Sequence, residues 1–205
     1  MSAAGEEVVI VDYGMGNLRS VSRAFERIGA RPRVTDSGSH LRAARRVVLP
    51  GVGSVSQAMA ALRKGGLDDA IRAHVAAGRP FLGICLGLQV LLEEAEEGGI
   101  GPCIGVIPGR VARFPESREL PIPHMGWNQV KPVVDHPVIA EGYFYFVHGY
   151  RATNVPDEFC LARTDYGESF ASAIGRGSCV GVQFHPEKSQ RAGLELLERF
   201  CAWMP

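Results

Sequence analysis

The apolar and polar positions of this chain change rhythm about halfway along. Residues 8–11 form an unbroken β-branched run, the mark of a strand buried on both faces. After it, Asn17 is placed to cap a helix, Leu18, Val21, Phe25 and Ile28 recur at helical spacing, and Gly29 stops it. Residues 47–49 give a second buried strand, ended by Pro50. Residues 62–77 are helical in composition apart from a Lys64-Gly65-Gly66 break. Residues 80–84 give another short apolar strand, and residues 86–97 read as a helix. Strands separated by helices predict a parallel sheet with helices on both faces. Residues 101–181 are richer in β-branched and aromatic residues, proline and glycine, and predict several short strands. Residues 190–203 predict a closing helix with Leu194, Leu197 and Cys201 on one face. The expected architecture is one α/β domain over residues 1–205. It has a mostly parallel central sheet flanked by helices, with extra antiparallel strands in the second half.

Composition narrows the functions. The chain has 205 residues, enough to bury a core without disulfides or metals. Lys plus Arg equals Asp plus Glu, 22 each, so no general attraction to nucleic acid or anionic membrane is expected. Arg42, Arg45 and Arg46 cluster, and such a short run predicts a solvated helix end. No basic-then-apolar leader opens the chain, and the longest apolar stretch, residues 80–92, is too short to span a bilayer. The five cysteines are odd in number and none has C-x-x-C spacing, which argues against a disulfide framework and a zinc site. A reducing cytoplasm is the expected compartment.

Three segments carry candidate chemistry. Gly83-Ile84-Cys85-Leu86-Gly87 has the form of a nucleophile elbow with Cys in place of Ser, between an apolar strand and a helix. The glycines allow a tight turn with close backbone neighbours, and a thiol at a helix N-terminus is favoured as thiolate. With 25 glycines and five cysteines in 205 residues, chance produces such a flanked cysteine roughly once in thirteen sequences, so the pattern needs support. The plain alternative is a buried structural cysteine in a glycine-rich turn. His185-Pro186-Glu187 supplies the support. Proline biases His185 to extended geometry, and residues two apart then point the same way. Glu187 can therefore reach the imidazole and fix its tautomer, giving nucleophile, base and orienting acceptor. Pro50-Gly51-Val52-Gly53, also after a strand, has the backbone freedom to aim N–H groups at an oxyanion. Gly14-Met15-Gly16-Asn17-Leu18-Arg19 looks like a dinucleotide fingerprint, but Arg19 stands where the third glycine belongs. No NAD, FAD, other cofactor or metal is expected.

Together, Pro50-Gly51-Val52-Gly53, Gly83-Ile84-Cys85-Leu86-Gly87-Leu88-Gln89 and Gln183-Phe184-His185-Pro186-Glu187 resemble the class I, triad-type glutamine amidotransferases. The resemblance extends from Val11 to the C-terminus and implies their three-layer fold. Asp12-Tyr13-Gly14-Met15-Gly16-Asn17, Pro123-His124-Met125-Gly126-Trp127-Asn128, Tyr145-Phe146-Val147-His148 and Lys188-Ser189-Gln190 narrow it to the branch serving histidine biosynthesis. That resemblance implies a role for each matching position. It implies that Cys85 attacks the glutamine side-chain amide, that His185 moves the proton, and that Glu187 orients His185. It implies that Leu86 and the Gly51-Val52-Gly53 loop hold the oxyanion, the loop being able to flip, and that Gln89, Glu97, His148 and Tyr150 bind glutamine. It further implies a separate (β/α)8-barrel cyclase that docks over the site and receives ammonia, with Asn17, Trp127, Asn128, Tyr145 and Lys188 at the contact. Gly149 stands where the family pattern has a small hydroxyl residue, so a hydroxyl contact to substrate is lost if one exists. Leu88 replaces a common methionine at similar volume. The alternatives are the glutaminase subunit of another synthase, a stand-alone γ-glutamyl hydrolase or cysteine peptidase, and a binding module that keeps the fold without activity.

Overall fold

The computed structural model describes residues 3–115 and 120–205. In chain order the elements begin with β1 (Glu7–Val11), α1 (Leu18–Arg27), β2 (Arg31–Thr35), α2 (Gly38–Ala43) and β3 (Val47–Gly51). They continue with α3 (Val55–Lys64), α4 (Leu67–Ala76), β4 (Phe81–Cys85) and α5 (Leu86–Gln89). The antiparallel half holds β5 (Glu94–Ala95), β6 (Gly101–Pro102), β7 (Arg110–Arg113), β8 (His124–Pro132) and β9 (Gly142–His148). It ends with β10 (Tyr150–Thr153), β11 (Cys160–Tyr166), β12 (Glu168–Arg176), β13 (Cys179–Val182) and α6 (Gln190–Ala202).

Among the described residues the strands share one sheet of order β2-β1-β3-β4-β13-β12-β10-β7-β5-β6, with β11, β8 and β9 branching beside β12. The block β2-β1-β3-β4-β13 is parallel. From β12 onward pairing is mostly antiparallel. The alternation along β1 shows why the parallel strands are apolar throughout. Val8 and Ile10 pack with α1 and α6 residues such as Phe25, Leu197 and Phe200. Val9 and Val11 pack on the other face with Leu41, Met59, Leu62 and Ile71 of α2, α3 and α4. The result is the three-layer α/β arrangement expected.

Four local expectations are corrected. Pro50 does not end β3, because the strand continues to Gly51, paired with Cys85. Val47 donates toward β4, so alternation puts the missing Pro50 N–H on the β1 side. The last β1 partner on that side is Val48, so no ladder bond is lost. The helix expected from 62 begins at Val55, capped by Ser54, and Gly65 and Gly66 divide it from α4. The helix expected over 86–97 is one turn, Leu86–Gln89. Finally, Arg46 is buried rather than solvated. It pairs with Glu6 at 2.8 Å and donates to the Trp203 carbonyl at 2.9 Å, tying β3 to the C-terminus.

Candidate active site

The parallel register assembles the site at the carboxyl edge of β3, β4 and β13, where open α/β sheets place their chemistry. Gly51 pairs with Cys85 across β3 and β4, so the 50–53 loop leaves the sheet beside the cysteine. Val182 pairs with Ile84, so Gln183 and the His185 turn emerge on the other side. Cys85 itself has φ 56° and ψ −104°, a strained backbone that turns its side chain off the sheet edge. The elbow's glycines are required by close approach. A Cβ on Gly83 would lie 2.4 Å from the Gly87 carbonyl oxygen, and one on Gly87 would lie 2.0 Å from that of Leu49. A single helical turn carries little macrodipole, so α5 gives the thiol less field than the expected longer helix.

His185 Nδ1 meets Glu187 Oε1 at 2.8 Å, with both side chains almost sealed from solvent. His185 is extended, as proline demands, while residues 186–188 make a 3₁₀ turn that brings the carboxylate back. Burial alone pulls the His185 pKa down, but the Cys85 sulfur and the Glu187 carboxylate reverse this and push it up to about 10. Among the described residues, His185 Nε2 and Glu187 Oε2 have no hydrogen-bond partner. With Nδ1 taken by Glu187, Nε2 is the ring atom left for the Cys85 sulfur that raises the pKa. The His185 backbone is clamped to β9. Its N–H donates to the Tyr145 carbonyl at 2.9 Å. Ser189 Oγ donates to the His185 carbonyl at 2.6 Å and accepts the Tyr145 N–H at 3.0 Å.

Cys85 opens into a pocket of about 450 Å³ that Val52, Gly53, Leu86, Gln89, Glu97, His148, Tyr150 and Lys188 also line. Gly51 lies beneath it, and a Cβ there would meet Tyr13 Oη at 2.4 Å and Leu86 at 2.9 Å. Glu97 accepts the Val55 N–H at 2.7 Å, holding the start of α3 while its side chain faces the pocket. The Gly14–Gly16 segment packs beneath the 50–53 loop. Gly16 abuts the Pro50 carbonyl, and Met15 lies under Gly53. The other four cysteines are buried, and burial raises every one of their thiols, Cys103 to about 11 and Cys201 to about 12. Among the described residues, no group of three or more His, Cys, Asp or Glu is arranged to hold a metal.

Beside the pocket, β8 and β9 present an apolar outer face. Met125 is 61% exposed, Trp127 48% and Tyr143 60%. Trp127 pairs with Tyr145 across the ladder, their rings edge to face at 6.3 Å. The Lys188 ammonium sits 5.9 Å from the Tyr145 ring. Asn128 points inward to His124, and Asn17 is an exposed cap that accepts the Ser20 N–H. Trp127, Tyr145 and Lys188 therefore gather in one place, whereas Asn128 lies on the opposite face of β8 and Asn17 heads α1. Sequence reasoning assigned no role to Gln183, His124 or Ser189. A polar Gln183 between Val182 and Phe184 in a buried run was the available signal. Among the described residues no helix is long and apolar enough to cross a membrane.

Comparison with known proteins points the same way. The glutamine amidotransferase class-I family matches residues 9–203. Imidazole glycerol phosphate synthase subunit HisH of Nitrosococcus oceani is 52% identical over 205 residues, covering 96% of this chain and 97% of that one. The subunit of the same name from Symbiobacterium thermophilum is 50% identical over 194 residues, with 93% and 91% covered. Among solved structures, PurLQS from Thermotoga maritima has a TM-score of 0.76 at 18% identity, over 96% of this chain and 97% of that one. A glutamine amidotransferase crystal structure has a TM-score of 0.74 at 21% identity, over 94% and 98%. At those identities the two structures speak to the fold alone.

Proposed function

This chain belongs to the class-I glutamine amidotransferase family, and we propose that it is the glutaminase subunit of an imidazole glycerol phosphate synthase. It hydrolyses glutamine and supplies ammonia for imidazole glycerol phosphate and an aminoimidazole carboxamide ribonucleotide in histidine biosynthesis. The observation that carries the chemistry is a pocket cysteine at a strained elbow beside a sealed His185–Glu187 pair.

That geometry supports the following steps. The Cys85 sulfur, its proton already resting on His185 Nε2, adds as the thiolate to the glutamine amide carbon. Glu187 keeps Nδ1 protonated, so Nε2 is the atom that exchanges the proton. The tetrahedral oxyanion is held by backbone N–H groups of Leu86 and the Gly51-Val52-Gly53 loop. His185 returns the proton to the departing nitrogen, ammonia leaves, and a glutamyl thioester remains. Water, deprotonated through the same Nε2, releases glutamate and restores the thiolate beside a protonated His185. Gln89, Glu97, His148 and Tyr150 surround the glutamine head group.

Ammonia in water becomes ammonium and loses its nucleophilicity, so the acceptor site must be closed off from solvent. The exposed Met125, Trp127 and Tyr143, with the half-buried Tyr145 among them, support a docked partner, for which we assign a (β/α)8-barrel cyclase. Trp127, Tyr145 and Lys188 form its contact at the pocket mouth, with Asn17 and Asn128 as further coupling positions. Glutamate release, measured with and without the cyclase and its ligand, tests this. Cys85-dependent release in the liganded complex is the expected result. No such release, or peptide hydrolysis by the lone chain, would contradict it.

A further inference from the structure

A hydrogen-bond chain of fixed direction runs beneath the pocket. It starts at Asn128, whose Nδ2 donates to the Asp165 carbonyl at 2.9 Å and whose Oδ1 accepts the Gln129 N–H at 2.8 Å. That amide cannot turn over, so the same Nδ2 donates to Nε2 of His124 at 3.2 Å. An accepting Nε2 leaves the proton of a neutral His124 on Nδ1, which faces Nε2 of His148 at 3.1 Å. His148 is then protonated on Nδ1 and donates to the Tyr150 carbonyl at 2.8 Å. Both rings are neutral, since burial lowers His124 to about 4 and is the main cause lowering His148 to about 3.

The Tyr150 carbonyl has a second lone pair, and Gln89 Nε2 takes it at 3.0 Å. A carbonyl can only accept, which fixes the Gln89 amide. The same Nε2 donates to Gln183 Oε1 at 3.3 Å. Gln183 is thereby oriented in turn, and its Nε2–H is left facing the Cys85 sulfur at 3.6 Å.

Gln183 is completely buried in a run whose neighbours, Val182 and Phe184, are apolar and equally buried. An amide there is costly unless its N–H is satisfied. A thiol is a weak acceptor and a thiolate a strong one, so this donor favours the anion. We propose that Gln183 is a further catalytic residue, whose Nε2–H donates to the Cys85 sulfur and stabilises it as the attacking thiolate. The chain from Asn128 through His124, His148, Tyr150 and Gln89 holds that donor at the sulfur. This role presupposes Cys85 as the glutamine-attacking nucleophile.

The test is the pH dependence of Cys85 alkylation by iodoacetamide in the full chain, with Cys85→Ala as the blank. Gln183→Leu removes the donor, and Gln183→Glu keeps the acceptor for Gln89 while placing oxygen against sulfur. Each is expected to raise the alkylation midpoint by about one pH unit, the size of a modest charge-assisted hydrogen bond. Glutamate release at pH values below the wild-type midpoint is expected to fall about tenfold with it. A folded variant with an unmoved midpoint overturns the proposal. If neither variant folds, the wild-type side-chain amide resonance of Gln183 decides. It must titrate with the alkylation midpoint, and a flat resonance overturns the proposal. A wild-type chain that hydrolyses glutamine through Cys85 yet fails these tests refutes Gln183 alone. An unreactive wild-type Cys85, giving no glutamate with its partner, refutes the glutaminase assignment and this role together.

Discussion

Two histidine environments lie within one wall of the molecule and are treated in opposite ways. His185, on the turn after β13, has the Cys85 sulfur and the Glu187 carboxylate as partners and is pushed up to about 10. His124 and His148, on β8 and β9, have an amide, each other and a carbonyl, and fall to about 4 and about 3. All three rings are buried, so burial does not separate them. The difference comes from partner charge, because a desolvated imidazolium persists only beside anions. The consequence is functional. Among the three rings, positive charge next to Cys85 is confined to the one that must exchange protons, and the other two serve as neutral spacers of fixed polarity.

Breaking the charged environment is expected to have the largest effect. His185→Ala should lower glutamate release by about four orders of magnitude or more, measured in the cyclase complex. Glu187→Gln comes next. It spares the shape but reverses the tautomer preference, and should cost roughly a hundredfold to ten-thousandfold in the same assay. Gly193→Ala sharpens the comparison by moving the turn without altering its chemistry. A Cβ there would lie 1.8 Å from the Pro186 carbonyl oxygen, so α6 and the His185 turn must separate. Overpacking of about 1–3 kcal/mol is expected, seen as a lower melting temperature, with activity reduced through His185 misplacement.

The smallest effect is on the pH dependence of stability, where the two environments carry opposite signs. A raised folded-state pKa gives His185 a contribution present below about 6.5 that is lost as pH rises through about 10. Lowered values give His124 and His148 the reverse. Below about 6.5 the unfolded chain takes up protons that these rings refuse, so stability falls as pH drops toward about 4 and about 3. His124→Phe should flatten that acid slope in denaturant melts at successive pH values, since the ring already stacks between Phe146 and Tyr166.

The parallel half was legible because its signals are local. Residues 8–11 can hardly be anything but a doubly buried strand, and Cys85 with its two glycines announces an elbow. The segment after Gln89 was not, because long-range partners override its helical composition. Glu93 accepts the Gly109 N–H at 3.2 Å, Glu96 binds Arg110 at 3.0 Å, and Glu97 accepts the Val55 N–H at 2.7 Å. The carbonyls of residues 90–93 accept from residues 103–107 instead of continuing a helix. The Glu187 contact was foreseen from proline's effect on His185, although the 3₁₀ turn that delivers it was not. Gln183 shows the limit most plainly. Its importance lies in a register that places it beside Cys85 and in the Gln89 amide that aims it, and neither is written in its own neighbourhood.

Among these three rings His185 alone carries charge, beside the Cys85 sulfur. Nitrogen resonances of the histidine rings, recorded at neutral pH on the full chain labelled with ¹⁵N-histidine, test this directly. The expected spectrum has His185 protonated on both nitrogens and His124 and His148 each protonated on Nδ1 only. A neutral His185, or a charged His148, would contradict the account.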